Sequence, residues 1–529
     1  MNRDLFAAAA LADIPKILTL QDRNPHSPTY GCFDRNYWQY KIIDFPSGMA
    51  QEFVYPLALA WATDCPGNPY CGKAAVRDWA IAGMRFAAAS AYGDGSCDDY
   101  FPFERAAGAA AFSLLACLDA YRLLGLRDDA LEDFFARRGA WLADHRESGQ
   151  LSNHEALIAL NLALLGEFDG GERWQAPFEA RLARLMSWQD EEGWFQEYEG
   201  CDPGYLTLTI SVLARLYEMR PRDDLRQALE RAVSFAAEFS HPDGSYGGEY
   251  GSRNTYNFFP HGFELVGRWM PAALAVNDRF LDALSAGRAA CFADDHIVGH
   301  HCWNYLLAWR DFAAERPSPS ALVTEEGRHH FPNAGLVVDR RGDTALYLAL
   351  NKGGVFKLFR GGRLAASDTQ VSLRLADGRN AVAHLAGAYE ARLDDDEIEV
   401  GGDFGWAKQP KMTVAKLIVL RLLMVTIGRF HPDAVRRMLQ RLLITGRQSA
   451  PFTFVRRLTW RDGQWTVRDE VTAEDWGQVA AAGIGGDQTS IHVVMSRTYQ
   501  EGQLQPWQDL TGQVAALAKG EALVVERSP

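Results

Sequence analysis

An amide, an imidazole and a phenol stand near the starts of two neighbouring helical patterns. Asn153 and His154 precede the apolar run 156–165, and Tyr205 precedes the run 206–217 after the turn signal Asp202-Pro203-Gly204. Groups of these types can neutralise a carboxylate and take a proton from the carbon beside it. Removing that proton is hard because the carboxylate is already negative, so donors or cations on it must stabilise the enolate-like state. Asn153 and His154 fit this task. Tyr205 fits as the base if its phenol pKa is lowered, and it can then protonate a leaving oxygen. Alone, Asn153 reads as a helix cap and Tyr205 as a packed ring; the set of three at helix mouths points to chemistry.

A second constellation is His241-Pro-Asp-Gly-Ser-Tyr246, Tyr250-Gly-Ser-Arg253-Asn254-Thr255-Tyr256 and Pro260-His261-Gly262. Long polar loops between helices are often functional. Arg253 can clamp a carboxylate or sulfate bidentately, with Asn254 beside it, and His261 can serve as a further acid/base group. Arg35, Tyr37, Trp38, Gln51 and Glu52 are expected on an opposite wall, with Glu104 as a weaker addition. Trp194 and Tyr198, in the segment leading to Tyr205, complete the expected binding set. His300-His301 and His329-His330 lack a second ligand pair at a recognised spacing, so no metal site is expected. With no phosphate loop, dinucleotide fingerprint or Gly-x-Ser-x-Gly elbow, no cofactor is expected either.

These residues need a helical scaffold, and the sequence supplies one. Residues 1–50 read as loop-rich and aromatic. From about 51 to 312, the segments 106–124, 130–143, 155–165, 177–188, 206–217, 225–239 and 279–292 carry apolar residues at helical spacing. A series of helical hairpins with polar loops at one end predicts an α/α toroid, or incomplete barrel, over 1–315. Residues 316–330 read as a linker, and the period then changes. Segments 334–339, 345–350, 370–375, 381–384, 397–400, 452–460 and 464–471 read as strands, with Asp377-Gly378 and Asp462-Gly463 as hairpin turns. The range 331–529 is therefore expected to be an antiparallel β-sandwich, interrupted by a helical insertion at about 408–446.

Composition narrows the partners. The 529 residues exceed one ordinary core, and a net charge of -14 argues against non-specific nucleic-acid binding. A local basic cleft could still hold an acidic chain. Eight scattered cysteines without a Cys-x-x-Cys pair, and a poor signal segment at the N-terminus, favour the cytoplasm.

Three local patterns resemble the heparinase II/III-like family of polysaccharide lyases and its uronate C5-epimerase relatives. Asn153-His154-Glu155-Ala156 resembles that family's Asn-His helix start. Gly193-Trp-Phe-Gln-Glu197 before Tyr205 resembles its segment leading to a catalytic tyrosine. Phe331-Pro-Asn-Ala-Gly335, with Ser367-Asp368 to Gly378, resembles its sandwich strands. The resemblance covers about residues 50 to 390. It implies a toroid joined to a sandwich, a cleft between them, and proton abstraction at C5 of a uronate in an acidic polysaccharide or lipid-linked glycan. The outcome would be β-elimination in a lyase, or epimerisation with Tyr205 and His261 as the pair. A glycan-binding protein without catalysis is a third reading. One departure stands out: where the family carries His-Gly-His-Ala-Asp, this chain has Leu364-Ala365-Ala366-Ser367-Asp368.

The insertion and its flank carry Lys408, Lys411, Lys416, Arg421, Arg429, Arg436, Arg437, Arg441, Arg447, Arg456 and Arg457 against the single acid Asp433. Interleaved with apolar runs, this predicts a basic amphipathic hairpin over 412–444. It would lie on the inner face of an anionic membrane, line a glycan cleft, or pack on the sandwich.

Overall fold

The computed structural model describes the chain except residues 1, 148, 199, 291–296, 319–324, 408–410, 441–447, 487–503 and 505–506. The first part is helical: α1 (Asp4–Leu20), the single turn α2 (Arg35–Trp38), α3 (Val54–Ala62), α4 (Ala74–Ser90), α5 (Ala107–Leu123), α6 (Asp129–Asp144), α7 (Ser152–Asp169), α8 (Gln175–Met186), α9 (Pro203–Met219), α10 (Asp223–Glu238), α11 (His261–Val266), α12 (Pro271–Ser285) and α13 (Val298–Arg310).

Two kinds of helix sequence sort into two layers. α5, α7, α9 and α13 are apolar on nearly every side and are buried along most of their length. Helices of that kind must be surrounded. α10 carries one apolar stripe, Leu225, Ala228, Leu229, Ala232, Val233 and Ala236, and faces solvent with the rest. Accordingly α3, α5, α7, α9, α11 and α13 pack side by side into a ring that closes between α13 and α3, with α1, α4, α6, α8, α10 and α12 outside. This is the expected α/α toroid.

Helix α1, in the stretch expected to be loop-rich, covers the seam between α13 and α3 from outside. Asp13 and Pro15 break its apolar pattern, yet Phe6, Ala10, Ile14 and Ile17 are buried against α13 and its neighbours. Trp309 Nε1 donates to Asp4 Oδ1 at 2.8 Å, and the Arg3 guanidinium lies 4.4 Å from the Trp309 ring.

The inner helices run in parallel. The starts of α5, α7, α9 and α13 therefore gather at one mouth, while Asp119 and Arg215, near the ends of α5 and α9, meet at the other at 2.6 Å. Above the first mouth stand two antiparallel sheets. Strands β3 (Gly327–Phe331), β4 (Leu336–Arg341), β5 (Thr344–Ala349), β6 (Val355–Arg360) and β7 (Arg363–Asp368) form a meander in that order. The second sheet comprises β8 (Val371–Leu375), β9 (Asn380–Val382), β10 (Tyr389–Asp394), β11 (Glu397–Trp406), β12 (Ser449–Arg461), β13 (Gln464–Ala473), β14 (Val479–Ile484), β15 (Gln508–Asp509) and β16 (Leu523–Arg527). Asp462 and Gly463 take positive φ between β12 and β13, as a two-residue hairpin turn requires.

The meander is buried on both faces. Val337, Leu346, Leu348, Phe356 and Leu358 face the second sheet, while Leu336, Val338, Ala345, Tyr347 and Phe359 join the core of the toroid. This is why β5 reads as a nearly continuous apolar run. The expected linker 316–330 is shorter than its sequence suggests. Arg316 belongs to the helical domain, bonded to Glu264 at 2.7 Å and Asp278 at 3.0 Å, and β3 already begins at Gly327. The insertion is α14 (Val414–Leu423), a π-type turn at Met424–Gly428 and α15 (Pro432–Gln440).

Gln51 and Glu52, expected to line a cleft wall, are interior. Glu52 accepts from Trp303 Nε1 at 2.5 Å and contacts His300 Nδ1 at 3.1 Å, tying the turn before α3 to α13. Gln51 Nε2 bonds the Ser47 carbonyl. Glu52→Ala strands the Trp303 donor and the His300 ring in the core. We expect a loss of about 3 kcal/mol, read as a fall in the temperature of thermal unfolding.

Candidate active site

The site is built on two helix starts. Asp202 caps α9 by accepting from the Tyr205 N–H at 2.9 Å, which sets Tyr205 in the first turn at the mouth. The same carboxylate accepts from Arg253 N at 3.0 Å and from the Thr255 hydroxyl, so one acid holds both the helix and the 249–256 loop. Gly204 and Gly251 permit this approach: a Cβ on the first would collide with Thr255, and on the second with Asp202.

At the start of α7, Glu197 is the central acceptor. It arrives on the short hairpin β1 (Gln196–Glu197) and β2 (Gly200–Cys201). Its Oε1 accepts from Ser152 Oγ at 2.9 Å, Asn153 Nδ2 at 2.7 Å and Asn153 N at 3.2 Å, and its Oε2 accepts from Arg253 Nη1 at 3.0 Å. Fixed in this way, the Arg253 guanidinium lies 3.7 Å from the centre of the Tyr205 ring and 5.1 Å from that of Tyr198.

The adjoining half is a chain of charges. His154 Nδ1 bonds Glu147 Oε2 at 2.7 Å, and its ring lies over Gly108 at the start of α5. Arg436, from α15, reaches Glu147 and Glu104, each at 2.9 Å. Burial alone would raise the Glu147 carboxyl, but the charges of His154 and Arg436 outweigh it and hold it at about 2. Glu104 behaves oppositely: burial pushes it up to about 7 against the pull of Arg436. Tyr198 joins the two halves, its phenol raised by burial and within the fields of Arg253, Glu147, Glu197 and Arg436. Phe103, Arg105, Tyr198 and Asn254 all have positive φ, so non-glycine backbone is strained on several sides of the cluster.

The geometry revises two roles. Burial pushes the Tyr205 phenol up to about 12, with Arg253 opposing and Glu197 adding, so Tyr205 rests protonated rather than as the lowered-pKa base anticipated. Asn153 Nδ2 donates to Glu197, so this amide positions Glu197, and Arg253 Nε is a buried donor without a partner.

Asn153, His154, Tyr205, Arg253, Asn254, Tyr198 and Glu104 thus come together, and seven expected members do not, the interior Gln51 and Glu52 among them. His261, whose neighbour Gly262 packs on Ser211, lies about 9 Å along α9 from Tyr205. It bonds Asp311 at 2.8 Å and lines a cavity of about 520 Å³ at the opposite mouth. The proposed Tyr205–His261 pair is therefore not formed. Arg35, Tyr37 and Trp38 engage rim residues: Arg35 bonds Gln39, Tyr37 meets Phe86, and Trp38 Nε1 donates to the Leu20 carbonyl at 2.7 Å. Trp194 is buried at the domain interface and donates to Glu192, which also accepts from Ala334 N. Glu197, Glu147, Arg436 and Lys352 were not anticipated. Glu197 lay within the Gly193-to-Glu197 pattern, and Arg436 was read as one of the hairpin's cations, for a membrane, a glycan cleft or the sandwich. Lys352 Nζ, from the sandwich, bonds the Gly251 carbonyl at 2.9 Å and also Asn254 Oδ1, holding the Arg253 loop.

No family model matches the chain, and no curated protein sequence matches it. Among solved structures, a Paenibacillus xanthan lyase shares 12% identity over 91% of this chain and 46% of its own, with a TM-score of 0.48. Heparinase III shares 12% over 72% and 56%, at 0.43. The Streptomyces coelicolor A3 chondroitin AC lyase shares 13% over 100% and 79%, at 0.49. The chain spans about half the length of the first two.

Two tests follow from the charges and the close packing. A methyl on Gly108 would come within 2.4 Å of His154 Cε1. Gly108→Ala should therefore displace the imidazole, lowering turnover about 10- to 100-fold while the melting temperature changes little. Glu104 keeps its proton to about 7 when folded but loses it near about 4.3 when unfolded. Its contribution to stability is thus full at low pH and lost as pH rises through about 7. Melting of Glu104→Gln should fall less than wild type between about pH 5 and about pH 8.

Proposed function

We propose that this protein removes the C5 proton of a uronate in an acidic polysaccharide and eliminates the 4-O substituent. The observation that carries the reading is the Arg253 guanidinium seated over the Tyr205 ring, beside the His154–Glu147 pair. Arg253 supplies the cation that a uronate carboxylate needs as its α-carbon turns carbanionic. His154 takes the proton: Glu147, ionised above about 2, holds Nδ1 and leaves Nε2 as the basic nitrogen. Tyr205, protonated at neutral pH, passes its proton to the leaving oxygen. The C5–H and C4–O bonds break, and the C4–C5 double bond forms. Asn153 and Glu197 act by positioning Arg253.

C5 epimerisation is the second reading, in a free or a lipid-linked glycan. It uses the same proton removal, and the pair His154 and Tyr205 replaces the pair Tyr205 and His261. Glycan binding without turnover is the reading left if no proton is exchanged.

The test is incubation with heparosan, alginate, hyaluronan and chondroitin in deuterated buffer. Wild type should give ultraviolet absorbance from an unsaturated uronate on at least one of them. Tyr205→Phe should lose that absorbance yet still place deuterium at C5, and His154→Ala should lose both. Deuterium at C5 without new absorbance in wild type selects epimerisation. The pH profile decides between the two bases. With His154 as base and Tyr205 as acid, the rate declines as Tyr205 ionises toward about 12. A rate climbing tenfold per pH unit toward that value would make Tyr205 the base and refute the assignment.

A further inference from the structure

Helix α14 and the turn after it present an apolar surface that no other part of the described chain covers. No residue of Val414–Leu423 is buried. Val414, Ile418 and Leu422 lie at helical spacing on one face, with Leu417 and Val419 beside them; Val425, Ile427 and Phe430 continue the surface. Val414 is 76% exposed and Phe430 68%. Single exposed apolar residues are ordinary, but a contiguous group of this kind marks an interaction site. Lys411, Lys416, Arg429 and Arg437 are exposed around it, and Asp433 is the only acid in 411–440. The inward attachments are few: Arg421 pairs with Asp44 at 2.6 Å, Arg436 enters the candidate site, and Met424 and Val435 are buried. The hairpin therefore rests on the toroid rather than on the sandwich, and Arg436 points inward. Arg456 and Arg457 lie on β12, outside the hairpin.

We propose that α14 and the turn at 424–430 seat the protein on an anionic lipid surface, with the candidate site at the foot of the hairpin. Apolar side chains ringed by cations match acyl chains beneath acidic headgroups. A second copy docking through the same face would set lysine against lysine, and a polyanionic glycan would leave the apolar side chains in water. No helix among the described residues is long and apolar enough to cross a membrane, so the element lies in the interface. The proposal does not depend on the reaction assigned above.

The experiment is co-sedimentation of the full chain with phosphatidylcholine vesicles, with and without phosphatidylglycerol, at low and high salt. Wild type should pellet with the anionic vesicles only and be released by salt. Lys411→Gln with Lys416→Gln should lower partitioning about thirtyfold, from the worth of each basic side chain at such a surface. Ile418→Asp with Leu422→Asp should abolish capture, with wild-type melting and unchanged turnover of any soluble glycan found to be a substrate. Wild type remaining in solution with anionic vesicles overturns the proposal, as does equal capture of the aspartate variant. A discrete dimer without lipid, dissolved by the same aspartates, would assign the face to a second copy and equally overturn it. A protein that binds vesicles but turns over no glycan would count against the reaction alone.

Discussion

A carboxylate sealed in protein must be neutralised where it stands, and Glu197 sets that requirement at the centre of this molecule. It has no exposed surface, and it draws in the first turn of α7 through Ser152 and Asn153 and the loop after α10 through Arg253. Removing one partner of a buried pair costs several kcal/mol, because the other is left charged without compensation. Glu197 and Arg253 therefore hold each other in place. The stacking of Arg253 on Tyr205 is a product of that restraint.

The sandwich supports the same loop from the other side. Lys352 and Lys357 are buried at the interface, the first on the carbonyl of Gly251 and the second 3.1 Å from Glu249. Arg340 adds an ion pair to Glu238 at 2.7 Å, and Tyr347 donates to the Ser240 carbonyl. Where two histidines might have stood on β7, Leu364 and Ala366 pack, and Asp368 is tied to Arg456 and Arg527. The cations that the sandwich brings to this edge of the cleft are lysines on β6 and the turn before it. Lys352 acts on the backbone that carries Arg253, and Lys357 on the Glu249 carboxylate at the head of the same loop.

The architecture was largely legible in the sequence because burial on every side leaves its mark on composition. Segments 106–124, 155–165 and 206–217 lack a polar stripe, and they became inner helices. The two-faced burial of β5 was equally visible as an apolar run. Contacts made across the ring were not legible. Nothing local to Glu52 says that its partners are Trp303 and His300, and nothing near Arg436 says that it will meet Glu104. His261 misled for the same reason: its place in a polar loop was clear, but its depth along the toroid was not. The strands β3, β6 and β7 were passed over because buried charge, as at Lys357, disturbs the alternation that marks a strand.

The seam between α1 and α13 has a consequence for how the molecule is made. Its bonds join residues separated by as many as 305 positions in the chain. α1 is synthesised before α13, but its seat on the outside of the ring does not exist until α13 has emerged. Until then Phe6, Ile14 and Ile17 have no core to enter, and the nascent helix carries an unsatisfied apolar face through the synthesis of the whole domain. Contacts of such high order are slow to form, since loop closure must precede the burial that rewards it. The toroid is thus assembled like a clasp, its first segment waiting for its last.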